Sequence, residues 1–231
     1  MLIVLEGLDG AGKSTQLSLL AGHLEGMGLE VEHLHFPRYE APVFGPLISA
    51  YLRGEFGPIE AVHPRLVALI FAEDRRAAAP MLSNLLSEGK CVILDRYVYS
   101  NIAFQCAKSA PSEAAALKDW ILELEYGTFA IPRPDLNLFL DVPLSFVGEK
   151  LSSAREGSDR DYLSGKHDIH EQNLTFQERV RERYMELCAE DPGFVRIDCS
   201  RPEGGMAAPD EIFRRICDGG LARAGLFNST R

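Results

Sequence analysis

The sequence predicts an α/β protein in three layers, a five-stranded and mostly parallel sheet covered by helices on both faces. Three observations lead there. Short apolar runs ending in polar residues recur at 2–5, 31–36, 91–94, 136–140 and 194–197, the length and continuity expected of strands buried within a parallel sheet. Longer segments separate them, and one, Leu66-Leu69-Ile70 through Met81-Leu82-Leu85-Leu86, repeats its apolar residues at helical spacing, as a helix lying on a sheet does. Between the first strand and the helix-like Thr15-Gln16-Leu17-Ser18-Leu19-Leu20 stands Gly7-Leu8-Asp9-Gly10-Ala11-Gly12-Lys13-Ser14, a complete G-x-x-x-x-G-K-S phosphate loop. Strand before and helix after is the context this motif requires.

The loop makes the chain a nucleotide-handling protein. Its glycines let successive N–H groups turn toward phosphate oxygens, and the following helix adds its positive end. Lys13 would bridge the β- and γ-phosphates and Ser14 would hold Mg²⁺. In a doubly wound sheet, ligands gather at the carboxyl ends of the strands. The polar residues there are Glu6, Arg38, Asp95, Asp141 and Asp198.

After the second strand, Phe36-Pro37-Arg38-Tyr39 carries an aromatic face and a guanidinium off the sheet, and the planar fork suits a phosphate better than it suits an idle surface position. On the long helix, Phe71 and Arg75 are four apart and share a face, so they could stack on and hydrogen-bond a base, or Phe71 could be core. The third strand ends in Asp95-Arg96-Tyr97, where Asp95 could orient metal-bound water and Arg96 could grip an acceptor phosphate, the alternative being an ion pair between the two.

From Ser152 to Glu171 the chain is charged, glycine-punctuated and without apolar periodicity. It reads as a lid over about 152–171 or as a solvated loop. His167, Asp168, His170 and Glu171 lack the spacing of a structural zinc site, and a solvated acidic loop is the preferred reading. The tail from Arg223 to Arg231 reads as a fraying end.

Bulk properties narrow the function. At 231 residues the chain fits one domain, 1–231. A net charge of −10 argues against nucleic-acid or membrane-surface partners, which demand a basic face. Five cysteines without C-x-x-C spacing fit free thiols in a reducing, cytoplasmic setting. There is no N-K-x-D guanine motif, and the one D-x-x-G lies inside the phosphate loop. A GTPase switch is therefore disfavoured, and a small-molecule kinase built on positioning and charge neutralisation is favoured. A nucleotide-dependent regulator that transfers nothing is the alternative, and it would leave the Phe36-Pro37-Arg38 and Asp95-Arg96-Tyr97 sets without a task.

Taken together, the segments from Leu5 to Gln16, Phe36-Pro37-Arg38-Tyr39, Phe71-Ala72-Glu73-Asp74-Arg75, Asp95 to Gln105 and Phe176-Gln177-Glu178-Arg179 resemble the thymidylate kinases, with the motifs in order over about residues 1–190. The resemblance implies a phosphate-loop kinase with a mobile lid, ATP-dependent phosphorylation of dTMP to dTDP, Mg²⁺ as cofactor, and a homodimer. It implies that Gly7, Gly10, Ala11, Gly12, Lys13, Ser14 and Thr15 cradle ATP. Phe71 resembles the ring that stacks on thymine and Arg75 the donor to its O4 edge, with Asn101 and Gln105 helping to read the base. Phe36, Arg38, Arg96 and Ser100 would hold the acceptor, and Phe104 would pack beneath the sugar where a 2′-hydroxyl would otherwise sit. Asp9 resembles an acid that contacts the acceptor's sugar or its metal, while Ser14, Asp95 and Glu171 resemble a metal set. Some family members carry an arginine within the phosphate loop, where this chain has Gly10. The transition-state cation would then come from Arg155 or Arg160 in the lid, with Arg160 preferred and Asp9, Lys13 and Arg96 completing the catalytic group.

Overall fold

The fold is described from a computed structural model, for residues 1–152 and 174–222. The lid residues Arg155, Arg160, His167, Asp168, His170 and Glu171, and the tail from Arg223, fall outside the described residues. Five strands, β1 (Leu2–Gly7), β2 (Val31–His35), β3 (Cys91–Asp95), β4 (Leu136–Asp141) and β5 (Phe194–Asp198), form one sheet in the order β2-β3-β1-β4-β5. Each neighbouring pair is parallel, so the sheet is wholly rather than mostly parallel.

Burial explains the composition of each strand. β1, β3 and β4 occupy the middle and are buried at every position, so their sequences run apolar without alternation. β2 is an edge, with Glu32, His33 and His35 exposed, and charged and polar side chains there discourage further strand pairing. Several strands run one or two residues beyond the apolar runs, taking in Glu6, Gly7, Asp95, Asp141 and Asp198, because a ladder hydrogen bond does not depend on an apolar side chain.

The described helices are α1 (Lys13–Gly26), α2 (Phe44–Leu52), α3 (Pro64–Ser87), α4 (Val98–Cys106), α5 (Pro111–Leu122), α6 (Leu144–Ser152), α7 (Leu174–Glu190) and α8 (Pro209–Arg215). α1 packs on β1, β2 and β3, and α8 packs against both α1 and β5. The second group comprises α3 on β3, α4 on β1, and α7 on β4 and β5, with α4 in contact with both of the others. The predicted helix at 66–86 is α3, opened by Pro64 at its first position and by His63, whose Nδ1 accepts from Arg65 N at 3.2 Å.

Two details of this scaffold set the site. β1 is central, so the phosphate loop leaves the middle of the sheet beside the end of β3. A π-helical turn, Glu123–Thr128, continues α5 and turns Glu125 inward until it is fully buried. Such bulges redirect side chains that a regular helix would present elsewhere. A smaller apolar cluster of Ile48, Tyr51, Leu52 and Val67, joined by Phe71 and Tyr39, knits α2 to α3.

Candidate active site

The phosphate loop takes the conformation its glycines permit. Gly10 and Gly12 have φ of 75° and 79°, the left-handed region that side-chain-bearing residues avoid, and Gly12 caps α1. Gly7 closes β1, Ala11 is buried, and Ser14 and Thr15 stand exposed on the first turn of α1. Lys13 is 8% exposed, and its Nζ donates to Leu8 O at 3.1 Å and lies 3.9 Å from Asp95 Oδ1. Burial and the nearby Arg96 guanidinium lower the Lys13 pKa, and Asp95 and Asp9 oppose them. An arriving polyphosphate would relieve that frustration by adding negative charge where the lysine lacks it.

At the end of β3, Arg96 has φ 67°, a conformation that costs an L-residue about 1–2 kcal/mol. Its surroundings hold it there. Arg96 N donates to Leu5 O at 2.9 Å, and Glu6 Oε1 accepts from Tyr97 N at 2.9 Å and Ser100 N at 3.1 Å. Glu6 Oε2 accepts from the Tyr184 hydroxyl at 3.0 Å and from Ser100 Oγ. The expectation that Glu6 faces ligand at the strand end is thereby corrected: it is fully buried, and burial, against the pull of Ser100 and Arg96, raises its pKa. It fastens β1 to α4.

The Arg96 guanidinium then reaches Asp9 Oδ1 from NH2 at 2.6 Å and Ser100 Oγ from NH1 at 3.1 Å. It lies 5.1 Å from the centre of the Phe104 ring. Burial works against its charge, but Asp9, with Asp95 and Glu6, outweighs this and raises its pKa. Arg96 therefore pairs with Asp9. Asp95 faces Lys13 and His35, whose Nδ1 is 3.4 Å from Asp95 Oδ2. Burial would raise the Asp95 carboxyl, yet Lys13 and His35 hold it down to about 2. Its buried Oδ1 makes no hydrogen bond.

Beside these groups opens a cleft. Asp9, Phe36, Phe71, Arg75 and Arg96 line it, and so do Ser100, Asn101, Phe104 and Gln105 along α4. Nine residues singled out from the sequence thus meet around one space. Its wall is completed by Pro37, Tyr39, Leu52 and Tyr97. Within it, Arg75 is 2% exposed and bound by Glu125 through Nε at 2.5 Å and NH2 at 2.7 Å. Asn101 Nδ2 donates to the same carboxylate at 2.9 Å and to Ala68 O at 3.0 Å. Asn101 Oδ1 is buried without a partner.

Arg38 is not among the residues lining the cleft. Asp74 holds it, accepting from Arg38 N at 2.8 Å and Nε at 3.0 Å, while NH2 donates to Asp74 O at 2.8 Å. Asp141 and Asp198 also lie apart from the cleft. Asp141 is clasped by Arg181 and Arg196, and Asp198 accepts from Ser200 N and Oγ at 2.9 and 2.6 Å. The five cysteines are free thiols. Among the described residues, no cluster of three or more His, Cys, Asp or Glu could hold a metal, and no helix is long and apolar enough to cross a membrane.

Sequence reading missed Glu125, Asp74, Tyr184 and His35. Arg75 and Glu125 are 50 residues apart and Glu6 and Tyr184 178 apart, so no spacing rule links them. The one local signal was a charged residue inside an apolar helical face, as at Asp74.

Comparison with known proteins agrees with this geometry. The sequence pattern described as Thymidylate kinase matches residues 5–207. The thymidylate kinase of Mycobacterium tuberculosis is 33% identical over 216 residues, covering 91% of this chain and 99% of its own. That of Homo sapiens is 34% identical over 186 residues, covering 80% and 76%. The solved thymidylate kinase of Candida albicans superimposes with a TM-score of 0.71 at 27% identity, covering 94% of this chain and 89% of that one. The chain belongs to the thymidylate kinase family and is an ATP-dependent nucleoside monophosphate kinase acting on dTMP.

Proposed function

We propose that the cleft is the dTMP pocket, and that the γ-phosphoryl group of ATP held on the phosphate loop passes to dTMP at its Arg96 end, giving dTDP and ADP. The observation that carries this reading is the state of Asn101. Both groups that receive its Nδ2, a backbone carbonyl and a carboxylate, can only accept, so the amide cannot flip, and its partnerless Oδ1 is an acceptor. Thymine presents an N–H at N3 flanked by carbonyls. Arg75, held by Glu125 through Nε and NH2, keeps NH1 to donate to O4. Cytosine has an acceptor at N3 and an amine at C4, so it would leave both groups opposed.

The remaining roles follow the same geometry. Phe71, braced edge-on by Tyr51, stacks on the base, and Phe104 beneath Arg96 fills the space below the sugar. Phe36 supports the wall, with Ser100 fixing Arg96. Lys13 and Arg96 gather charge as phosphoryl transfer proceeds, and the acceptor phosphate, already anionic, needs no general base. Asp9 keeps Arg96 charged and in place. Arg38 stands between Pro37 and Tyr39 of the cleft wall, and release from Asp74 would free its fork for phosphate.

The residues fit a Mg²⁺ ion. Asp95 supplies an ionised carboxylate whose buried Oδ1 is unused, and Ser14 an exposed hydroxyl on the first turn of α1. These are hard oxygen donors of the kind Mg²⁺ takes alongside phosphate oxygens and water. When bound, the ion would neutralise polyphosphate charge. Glu171, Arg155 and Arg160 belong to the proposed lid at 152–171, where Gly10 in the loop leaves the cationic role to a lid arginine. The chain acts as one catalytic domain, cytoplasmic and homodimeric, with free thiols and an apolar stripe on α3 supporting those two assignments.

The test is ADP production from Mg-ATP with dTMP, dUMP, dCMP, AMP and thymidine offered separately, with Lys13→Ala as background. Selective turnover of dTMP is expected. ATP binding without turnover of any acceptor would refute the assignment.

A further inference from the structure

Lys108 lies just past the end of α4 and outside the cleft lining, yet it touches two residues that shape the cleft. Its Nζ donates to Gln105 Oε1 at 2.8 Å and to the Tyr51 hydroxyl at 2.6 Å, with the ammonium 5.0 Å from the Tyr51 ring centre. Tyr51 meets Phe71 edge-on, ring centres 6.5 Å apart at 89°. One cation therefore ties the base of α4 to α2 and, through a ring, to α3.

Its effect on Gln105 is chemical as well as mechanical. An ammonium offers three donors and no acceptor, so only the oxygen of the Gln105 amide can face it, and a flipped amide would set NH₂ against NH₃⁺. Gln105 is 1% exposed and lines the cleft, and its Nε2 makes no hydrogen bond to a described residue. That leaves Nε2 as a donor of fixed identity at the cleft. Asn101, one helical turn earlier and on the same face, is fixed in the opposite sense, as an acceptor, by Ala68 O and Glu125. An acceptor and a donor side by side match an N3–H and a carbonyl flanking it.

We propose that Lys108 is a positioning residue for base recognition: it locks the Gln105 amide with its NH₂ toward the pyrimidine, so that Asn101 and Gln105 together read the N–H and an adjacent carbonyl of the thymine ring. The proposal rests on the cleft being the dTMP pocket. It also carries a kinetic signature. Val98, at the phosphate end of α4, and Gln105 are seven residues or roughly 10 Å apart along the helix, so loss of the lock weakens binding of the base and leaves the transfer step alone.

The experiment is a double-mutant cycle with dTMP varied at saturating Mg-ATP. Lys108→Met keeps the aliphatic stem and removes the donors. It should raise KM for dTMP by about three- to tenfold, the effect of one hydrogen bond, with kcat within about twofold. Gln105→Ala should do the same, and the double variant should be no worse than Gln105→Ala alone. Effects that multiply, or a KM unchanged in Lys108→Met, would overturn the proposal. Should Lys108→Met fail to fold, Gln105→Glu keeps the contact with Lys108 and deletes the donor. A raised KM is then required, and an unchanged one overturns the proposal. Absence of dTMP turnover by the unaltered enzyme would instead remove the pocket assignment itself.

Discussion

Arg96 NH2 and Asp9 Oδ1 meet at 2.6 Å across 87 residues of sequence, joining the phosphate loop to the start of α4. The pair does more than close a gap. Asp9 sits inside the loop proposed for the donor phosphates, and Arg96 faces the cleft proposed for the acceptor, so on that reading one ion pair would register the two substrates against each other. Its side chains are 11% and 22% exposed, sheltered enough for the attraction to resist screening.

Arg96→Lys tests this registration. A lysine is a single point of charge where the guanidinium now serves Asp9 and Ser100 at once. We expect kcat/KM for dTMP to fall on the order of 10²–10³-fold, the range for losing one preorganised transition-state donor. Thermal unfolding should shift little. Near-normal turnover in this variant would detach Arg96 from the phosphoryl path.

Glu125 makes a separate, thermodynamic prediction. It is fully buried and compensates Arg75, itself 2% exposed, while also holding Asn101. Glu125→Ala would leave a buried guanidinium unpaired, which costs about 3–5 kcal/mol, and denaturant unfolding should show that loss. The bridge is thus both a strut and the frame on which the two groups proposed to read the base hang. A stability loss below about 1 kcal/mol would mean that water replaces the carboxylate.

The fold was legible because its signals are local. A buried parallel strand declares itself by an unbroken apolar run, as β1, β3 and β4 do, and the phosphate loop by glycines that only left-handed turns require. The cleft was legible at one remove, since Phe71 and Arg75 share a helical face, whereas Asn101 and Gln105 entered only through the resemblance to the thymidylate kinases. What stayed hidden is the chemistry behind those residues. Glu125 reaches Arg75 through a π turn that no periodicity announces, and Glu6, placed at a ligand-binding strand end by the strand rule, is held instead by four donors from Tyr97, Ser100 and Tyr184. Burial reversed its role.

Asp95 gives the pH prediction. Its folded carboxyl is held down to about 2, below the ordinary value near 3.9 that it regains on unfolding. The charged form is therefore favoured in the folded state, and the stabilisation is complete above about pH 5. It is lost as pH falls through 4 toward 2, and amounts to about 2 kcal/mol when whole. Measured in chelator, so that no cation contributes, the unfolding free energy of the unaltered chain should exceed that of Asp95→Asn at pH 6 by more than it does at pH 2.5. A difference independent of pH would place the carboxyl near its ordinary value.

The proposed dimer rests on one face of α3. Leu66, Ile70, Ala77 and Met81 recur at spacings of four, seven and four, which aligns them along one stripe of the helix. Leu66 is 57% and Met81 41% exposed, an arrangement that leaves apolar surface in water unless a second copy covers it. The same helix carries Phe71, Asp74 and Arg75 on its inner side, so a partner on the outer stripe would brace the cleft wall from behind. Sedimentation of the unaltered chain should give about twice 25.6 kDa. Leu66→Asp, placing a charge within the stripe, should shift it toward the monomer with a concentration-dependent rise in KM for dTMP. A monomeric chain of undiminished activity would show that the stripe serves no partner, and that α3 holds its half of the cleft unaided.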